Sequence, residues 1–273
     1  MLSFHADWFG YKLPVCKRYK MIRQAGFDAA LLWYGDDWGK AFRMKRQYLH
    51  ARKAGLAIEN VHAPFDEVNH IWEDTPDGQH VFEGYLRCAE DCARFGIPAM
   101  VMHPNRGRTP PPVSEIGLER FRQLSRRAEQ LGVNVAMENL CQAHAIERTA
   151  WLLERIDSPR VGLCFDAGHF NAQIAKEPAL DLLARFGRRL MALHLHDNDG
   201  PVLRDLEDDQ HRLPFDGTTD WPEMMRRIEE TGYQGQVTLE VNAREPWYKD
   251  VSPEDFLARA YERAKRLEAL LRA

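Results

Sequence analysis

Six short apolar runs in this chain end on a side chain that can bind a metal ion or move a proton: His62, His103, Glu138, Asp166, the pair His194/His196, and Glu240. A short apolar run bounded by turn residues reads as a buried strand, so each of these groups is expected at a strand end. A single His or Glu in such a place is commonly a satisfied polar cap. Six on successive strands are different, because clustered carboxylates without a counter-ion repel one another and hold protons. A divalent cation removes that penalty, and imidazole mixed with carboxylate suits zinc, manganese or cobalt. Three further spacings add to the pattern. In Asp166-Ala167-Gly168-His169 the histidine follows the strand-end acid by three residues, and is expected in the following loop. In His194-Leu195-His196-Asp197 strand periodicity puts both histidines on one face. Asp209-Gln210-His211 offers two ligand types from a long loop.

Glycine punctuation shows what positions these groups. Gln24-Ala25-Gly26-Phe27, Lys53-Ala54-Gly55-Leu56, Arg94-Phe95-Gly96-Ile97, Gln130-Leu131-Gly132-Val133 and Glu230-Thr231-Gly232-Tyr233 each close an amphipathic stretch and enter an apolar run. Glycine there relieves the strain of a left-handed helix cap. The strands expected on this logic are Leu2–His5, Ala29–Trp33, Ala57–His62, Ala99–His103, Asn134–Glu138, Val161–Asp166, Leu190–His196 and Val237–Glu240. Eight strands alternating with eight helices predict a single α/β domain over residues 1–273, a (β/α)8 TIM barrel. Long strand-to-helix connections are expected at Pro64–Gln79, Pro104–Val113, Asp197–Thr219 and Val241–Val251, all at the C-terminal face where such barrels keep their chemistry. The last helix is marked by Ser252 as cap and Pro253 in the first turn.

Composition narrows the function. Of 273 residues 44% are hydrophobic, enough for a sizeable core, and the net charge of −4 comes from well-mixed acids and bases. No basic stripe or aromatic-basic interleaving marks a nucleic-acid surface. No signal peptide or apolar stretch of membrane length is read, and the five cysteines form no CxxC pair, with Cys88 and Cys92 read as a buried thiol pair. A reducing cytoplasm is the expected location.

The motifs Val61-His62-Ala63-Pro64-Phe65, Met102-His103-Pro104, Met137-Glu138-Asn139, Phe165-Asp166-Ala167-Gly168-His169, His194-Leu195-His196-Asp197-Asn198-Asp199, Asp209-Gln210-His211 through Gly217-Thr218-Thr219-Asp220-Trp221, and Leu239-Glu240-Val241 run over nearly the whole chain. Together they resemble the xylose-isomerase-like barrel superfamily, which holds sugar isomerases and epimerases and the type IV apurinic/apyrimidinic endonucleases. The resemblance implies a shared metal site on Glu138, Asp166, His194 and Glu240, with His196 as the alternative histidine. It also implies a divalent cofactor (Mn, Mg, Co or Zn) and a small carbohydrate substrate. In the endonuclease-like group the additional ligands would fall on His62, His103, His169, Asp209 and His211.

Two activities stay open on this reading. In a sugar isomerase or epimerase, Glu138 and Glu240 remove and return the proton α to a carbonyl. His169, Trp8, Phe9, Trp33, Phe65 and Arg244 would then line the sugar site. In a metal-dependent phosphodiester hydrolase, two or three ions clamp a phosphate with help from Arg106, Arg108, Arg244 and Lys249. The stretch Glu138-Asn139-Leu140-Cys141-Gln142-Ala143-His144 departs from the Thr/Gly-rich endonuclease continuation, which favours the isomerase. A homo-oligomer is expected by family analogy alone.

Overall fold

The computed structural model describes residues 1–7, 11–35, 41–204, 206–243 and 246–272. Trp8, Phe9 and Arg244 lie outside the described residues. Eight parallel strands, β1 (Leu2–His5), β2 (Ala29–Trp33), β3 (Ala57–His62), β4 (Ala99–Met102), β5 (Asn134–Glu138), β6 (Val161–Asp166), β7 (Leu190–His194) and β8 (Val237–Leu239), form one sheet in the order β7-β6-β5-β4-β3-β2-β1-β8. The sheet curls round to a nearly closed barrel. Its seam is held where Leu195 N donates to Thr238 O (2.9 Å) and Glu240 N donates to Leu195 O (3.3 Å).

Each strand is followed by helix: α1 (Val15–Ala25), α2 (Ala41–Ala54), α3 (Pro76–Phe95), α4 (Glu115–Leu131), α5 (Ala143–Arg155), the two short helices α6 (Ala167–Asn171) and α7 (Leu182–Phe186), α8 (Trp221–Glu230) and α9 (Pro253–Leu271). The expectation of one helix per strand therefore fails at β6, whose crossover is split in two. The split follows from Asp166, which caps α6 by accepting from His169 N at 2.7 Å, so the helix begins at the strand end. The connection expected through Gln79 is also shorter. Thr75 accepts from Gly78 N at 3.1 Å and Pro76 opens α3, a cap-plus-proline start. Gly26 and Gly96 close α1 and α3 at φ +115 and +66, in the left-handed region that favours glycine.

Two packing layers matter for the site. Most apolar side chains form a core between the sheet and its helices. A separate small cluster, Val101, Ala136, Cys164 and Ala192, supplies one side chain from each of β4 to β7. Each stands two residues before His103, Glu138, Asp166 and His194, one pleat beneath them on the same face. Small side chains there leave room for a buried polar layer above. No helix among the described residues is long and apolar enough to cross a membrane.

Ser252 caps α9 by accepting from Asp255 N at 3.1 Å. Ser252→Ala is expected to lower the unfolding free energy by about 1 kcal/mol, read from urea or thermal unfolding.

Candidate metal centre and cavity

The strand ends converge as their spacing predicts. Glu138, Asp166, His194 and Glu240 each present a ligand atom, all within 4.8 Å of one another. His194 Nδ1 lies 2.8 Å from Glu240 Oε2 and 3.3 Å from Glu138 Oε1, so one ring stands between two carboxylates. All four residues are buried. His196 belongs to a second group with His169, Asp209 and His211, while His62 and His103 gather on Glu138 at 3.1 and 3.3 Å. Between His194 and His196, geometry puts His194 with the two glutamates. His196 reaches Asp166 Oδ1 at 3.0 Å from the neighbouring group.

Tautomers are set from behind. The Nδ1 atoms of His62, His169 and His211 each lie 2.8 Å from a backbone carbonyl, of Ala63, Asn139 and Glu240 respectively. Nδ1–H donates there, so Nε2 is turned into the cluster, the arrangement that orients histidine ligands. His211 achieves this with φ +48, an uncommon conformation for a side chain of its size. Asn139 stitches β5 to β6 by donating to Asp166 O (2.9 Å) and accepting from Asp166 N (2.8 Å).

The electrostatics describe the same crowding. Burial would raise Glu138, but His194 and His103 hold its carboxyl well below the usual range. Burial likewise opposes the ionisation of Glu240, and His194 reverses it. Burial and then His211 and His169 act in the same opposed way on Asp209, which ends well below its ordinary value. The reciprocal effect falls on the imidazoles. Burial opposes their charge, yet Asp166 and Asp209 raise His169 well above 6.5, and Asp209 raises His211 to about 10. His194 is raised by Cys164, Glu240 and Glu138 against burial.

A divalent cation fits these residues on two counts. The donors are the imidazole and carboxylate mix that such ions take. Asp166 Oδ2, both nitrogens of His194, both of His196 and Asp209 Oδ1 are buried atoms with no aligned hydrogen bond. Several nevertheless sit within 3.6 Å of an opposite group. Short distance without alignment is what donors show when they face a common point rather than each other.

Above the cluster opens a cavity of about 600 Å³. Of the expected wall, Trp33, Phe65 and His169 line it. The aromatics also brace histidines, Trp33 against His62 (ring centroids 4.8 Å) and Phe65 stacked on His103 (4.5 Å). Arg106, Arg108 and Lys249 are not among the lining residues, and Arg106 is paired with Asp66. Among the described residues, the arginines on the wall are Arg18, paired with Asp7, and Arg46. Sequence reasoning also passed over His5, buried at the end of β1, though the strand-end rule itself singles it out. Burial lowers its pKa to about 4 against the pull of Glu240.

Asp197 was read only as part of a ligand motif, and its role is different. Oδ1 accepts from Asn198 N (2.9 Å), Thr219 N (3.1 Å) and Thr219 Oγ1 (2.8 Å), while Oδ2 accepts from Phe215 N and Trp221 Nε1, both at 2.9 Å. One buried carboxylate thereby folds the whole β7–α8 loop, the segment that carries Asp209 and His211.

Comparison with known proteins agrees with this architecture. The family described as xylose isomerase-like TIM barrel matches residues 19–267, and the chain belongs to it. The protein y4fM of Sinorhizobium fredii is 33% identical, with 98% of this chain and 92% of that protein covered. An inosose isomerase of Bacillus velezensis is 24% identical over 63% of this chain, which spans 62% of that enzyme. Among solved structures, D-psicose 3-epimerase of Clostridium cellulolyticum H10 superposes with a TM-score of 0.75 at 14% identity, covering 99% of each chain. The IolI protein with a bound zinc atom gives 0.73 at 16% identity, covering 99% of this chain and 97% of that one. At such identities the structural likeness concerns the fold.

Asp197→Asn is expected to loosen the β7–α8 loop. Metal binding that depends on Asp209 and His211 should fall at least about tenfold, while the Glu138/Glu240 group keeps its ion. Calorimetric titration with Mn²⁺ and Zn²⁺ reads both.

Proposed function

We propose that the protein is a sugar isomerase or epimerase dependent on a divalent metal ion, acting on a small carbohydrate or polyol ketone. The observation that carries this reading is the placement of two glutamates, Glu138 and Glu240, on either side of His194, both lining the cavity. Relatives named inosose isomerase and, by fold, D-psicose 3-epimerase support it. Glu138, Asp166, His194 and Glu240 would hold the ion, which supplies Lewis acidity toward a carbonyl and its neighbouring hydroxyl when bound.

The protein's own groups do the rest. One of the two glutamates takes the proton from the carbon α to the carbonyl. The other delivers a proton to the enediolate: at the former carbonyl carbon this gives the isomer, and at the original carbon from the opposite face it gives the epimer. Both carboxyls are held ionised, the state a general base requires, by the histidines beside them. His169, anchored through Nδ1 on Asn139 O, lines the cavity with Nε2 3.2 Å from Asp209 Oδ2, and a substrate oxygen would share that nitrogen with Asp209. Trp33 and Phe65 give the sugar an apolar side and exclude water from it.

A second reading is favoured by one observation: His169, His196, Asp209 and His211 form a further four-residue group, and His62, His103 and Glu138 a third. If each group takes its own ion, the centre has the donor count of a two- or three-metal phosphodiester hydrolase. The two readings separate by metal content and by substrate. One ion per chain, with turnover of a ketose, aldose or inosose, supports the isomerase. Two or three zinc ions with strand cleavage at an abasic site would replace it.

Glu240→Gln is expected to keep the fold and reduce turnover about 100-fold or more, because it removes charge and base while preserving shape. Turnover at the wild-type rate would remove Glu240 from its role. The pH dependence has a definite sign. His169, His194 and His211 bind protons at neutral pH, so an ion entering the site must displace them. Metal affinity should therefore rise with pH, and titration at pH 7 in buffers of different ionisation enthalpy should show net proton release. Proton uptake would contradict the assignment.

A further inference from the structure

We propose that the barrel holds a second, deeper metal seat made of Cys164, Glu138 and His194, selective for thiophilic divalent ions such as Zn²⁺ and Cd²⁺. Cys164 lies on β6, wholly buried, two residues before Asp166 and one pleat below it on the same interior face. Its sulfur and a ligand atom each of Glu138 and His194 lie within 4.8 Å of one another. Donors around one tetrahedral zinc are roughly 3.5 Å apart, so modest side-chain movement closes the seat. His194 adds a second observation: it is wholly buried, its ring nitrogens are unsatisfied by hydrogen-bond geometry, and the Cys164 thiol lies beside it.

A structural reading exists for the cysteine alone. It packs with Val101, Ala136 and Ala192 in the interior layer, where a small apolar side chain is all that space requires. Alanine would serve that purpose, and alanine is what β5 and β7 place there. The difference at β6 is a sulfur facing two further donors.

The seat shares Glu138 and His194 with the proposed upper site of Glu138, Asp166, His194 and Glu240, so the two are mutually exclusive. Hard ions such as Mn²⁺ and Mg²⁺ prefer the carboxylate-rich upper position, and soft ions prefer the thiolate. On binding, the S–H bond breaks, a sulfur–metal bond forms, and the proton passes to solvent with no electron transferred. The chain thus chooses where a metal sits by the metal's softness. A thiophilic ion draws two ligands down and away from the position facing the cavity. The shared ligands rest on the proposed metal centre, but the sulfur contact is detectable by itself.

The test is titration of the metal-free full-length protein with Cd²⁺, following the sulfur-to-cadmium charge-transfer band in the ultraviolet. The wild type is expected to develop the band with the first equivalent, and Cd²⁺ should displace Mn²⁺ competitively. Cys164→Ser and Cys164→Ala should lose the band and bind Cd²⁺ at least about tenfold more weakly, while Mn²⁺ affinity changes by less than about threefold. Cys141→Ser, at a buried cysteine outside these groups, should keep the band. Absence of the band in the wild type, or its survival in both Cys164 variants, overturns the seat. Failure of any sugar to turn over, with the band present, would count against the proposed activity and leave the seat standing.

Discussion

Bringing ionised carboxylates together inside a protein is unfavourable, and everything at this barrel's mouth is arranged around that fact. Buried Glu138, Asp166 and Glu240 and part-buried Asp209 are drawn to the barrel's rim and interleaved with imidazoles. Glu138, Glu240 and Asp209 are held below their usual range against burial by neighbouring histidines, and His169, His194 and His211 are raised in turn by the acids beside them. Such mutual charging is a stopgap for a polar layer that a barrel interior would ordinarily fill with branched apolar side chains. A cation satisfies the same donors with fewer protons, which is why the arrangement reads as a metal centre.

The scaffold works to keep that layer in register. Small residues from β4 to β7 lie beneath it and leave it room. Backbone carbonyls of Ala63, Asn139 and Glu240 fix ring orientations from outside. Glycine is required where β6 meets α6: a Cβ at Gly168 would lie 2.0 Å from His196 Cε1, so this junction must be bare for His196 to enter. Asp197 performs the longest-range task, folding the loop that delivers Asp209 and His211.

Much of this was legible beforehand, for physical reasons. Strand ends were accurate because a buried parallel strand is a continuous apolar run, and its first polar residue marks the rim. Hence Glu138 and Asp166 fell where expected, and β4, β7 and β8 ended within two residues of their predicted bounds. His5 was missed although the same rule applied, because its strand is the first and has no preceding helix to frame it. The split of α6 from α7 was hidden since Asp166 acts at once as strand end and helix cap, and one residue type does not announce two duties. Asp197 and the Arg18–Asp7 pair depend on contacts between distant segments, which spacing within one motif cannot carry.

The most direct measurement is anomalous diffraction at the manganese edge from crystals grown with Mn²⁺. A single strong peak bonded to Glu138, Asp166, His194 and Glu240 is the predicted result. A peak held elsewhere, with those four side chains bound only to one another, would contradict the account.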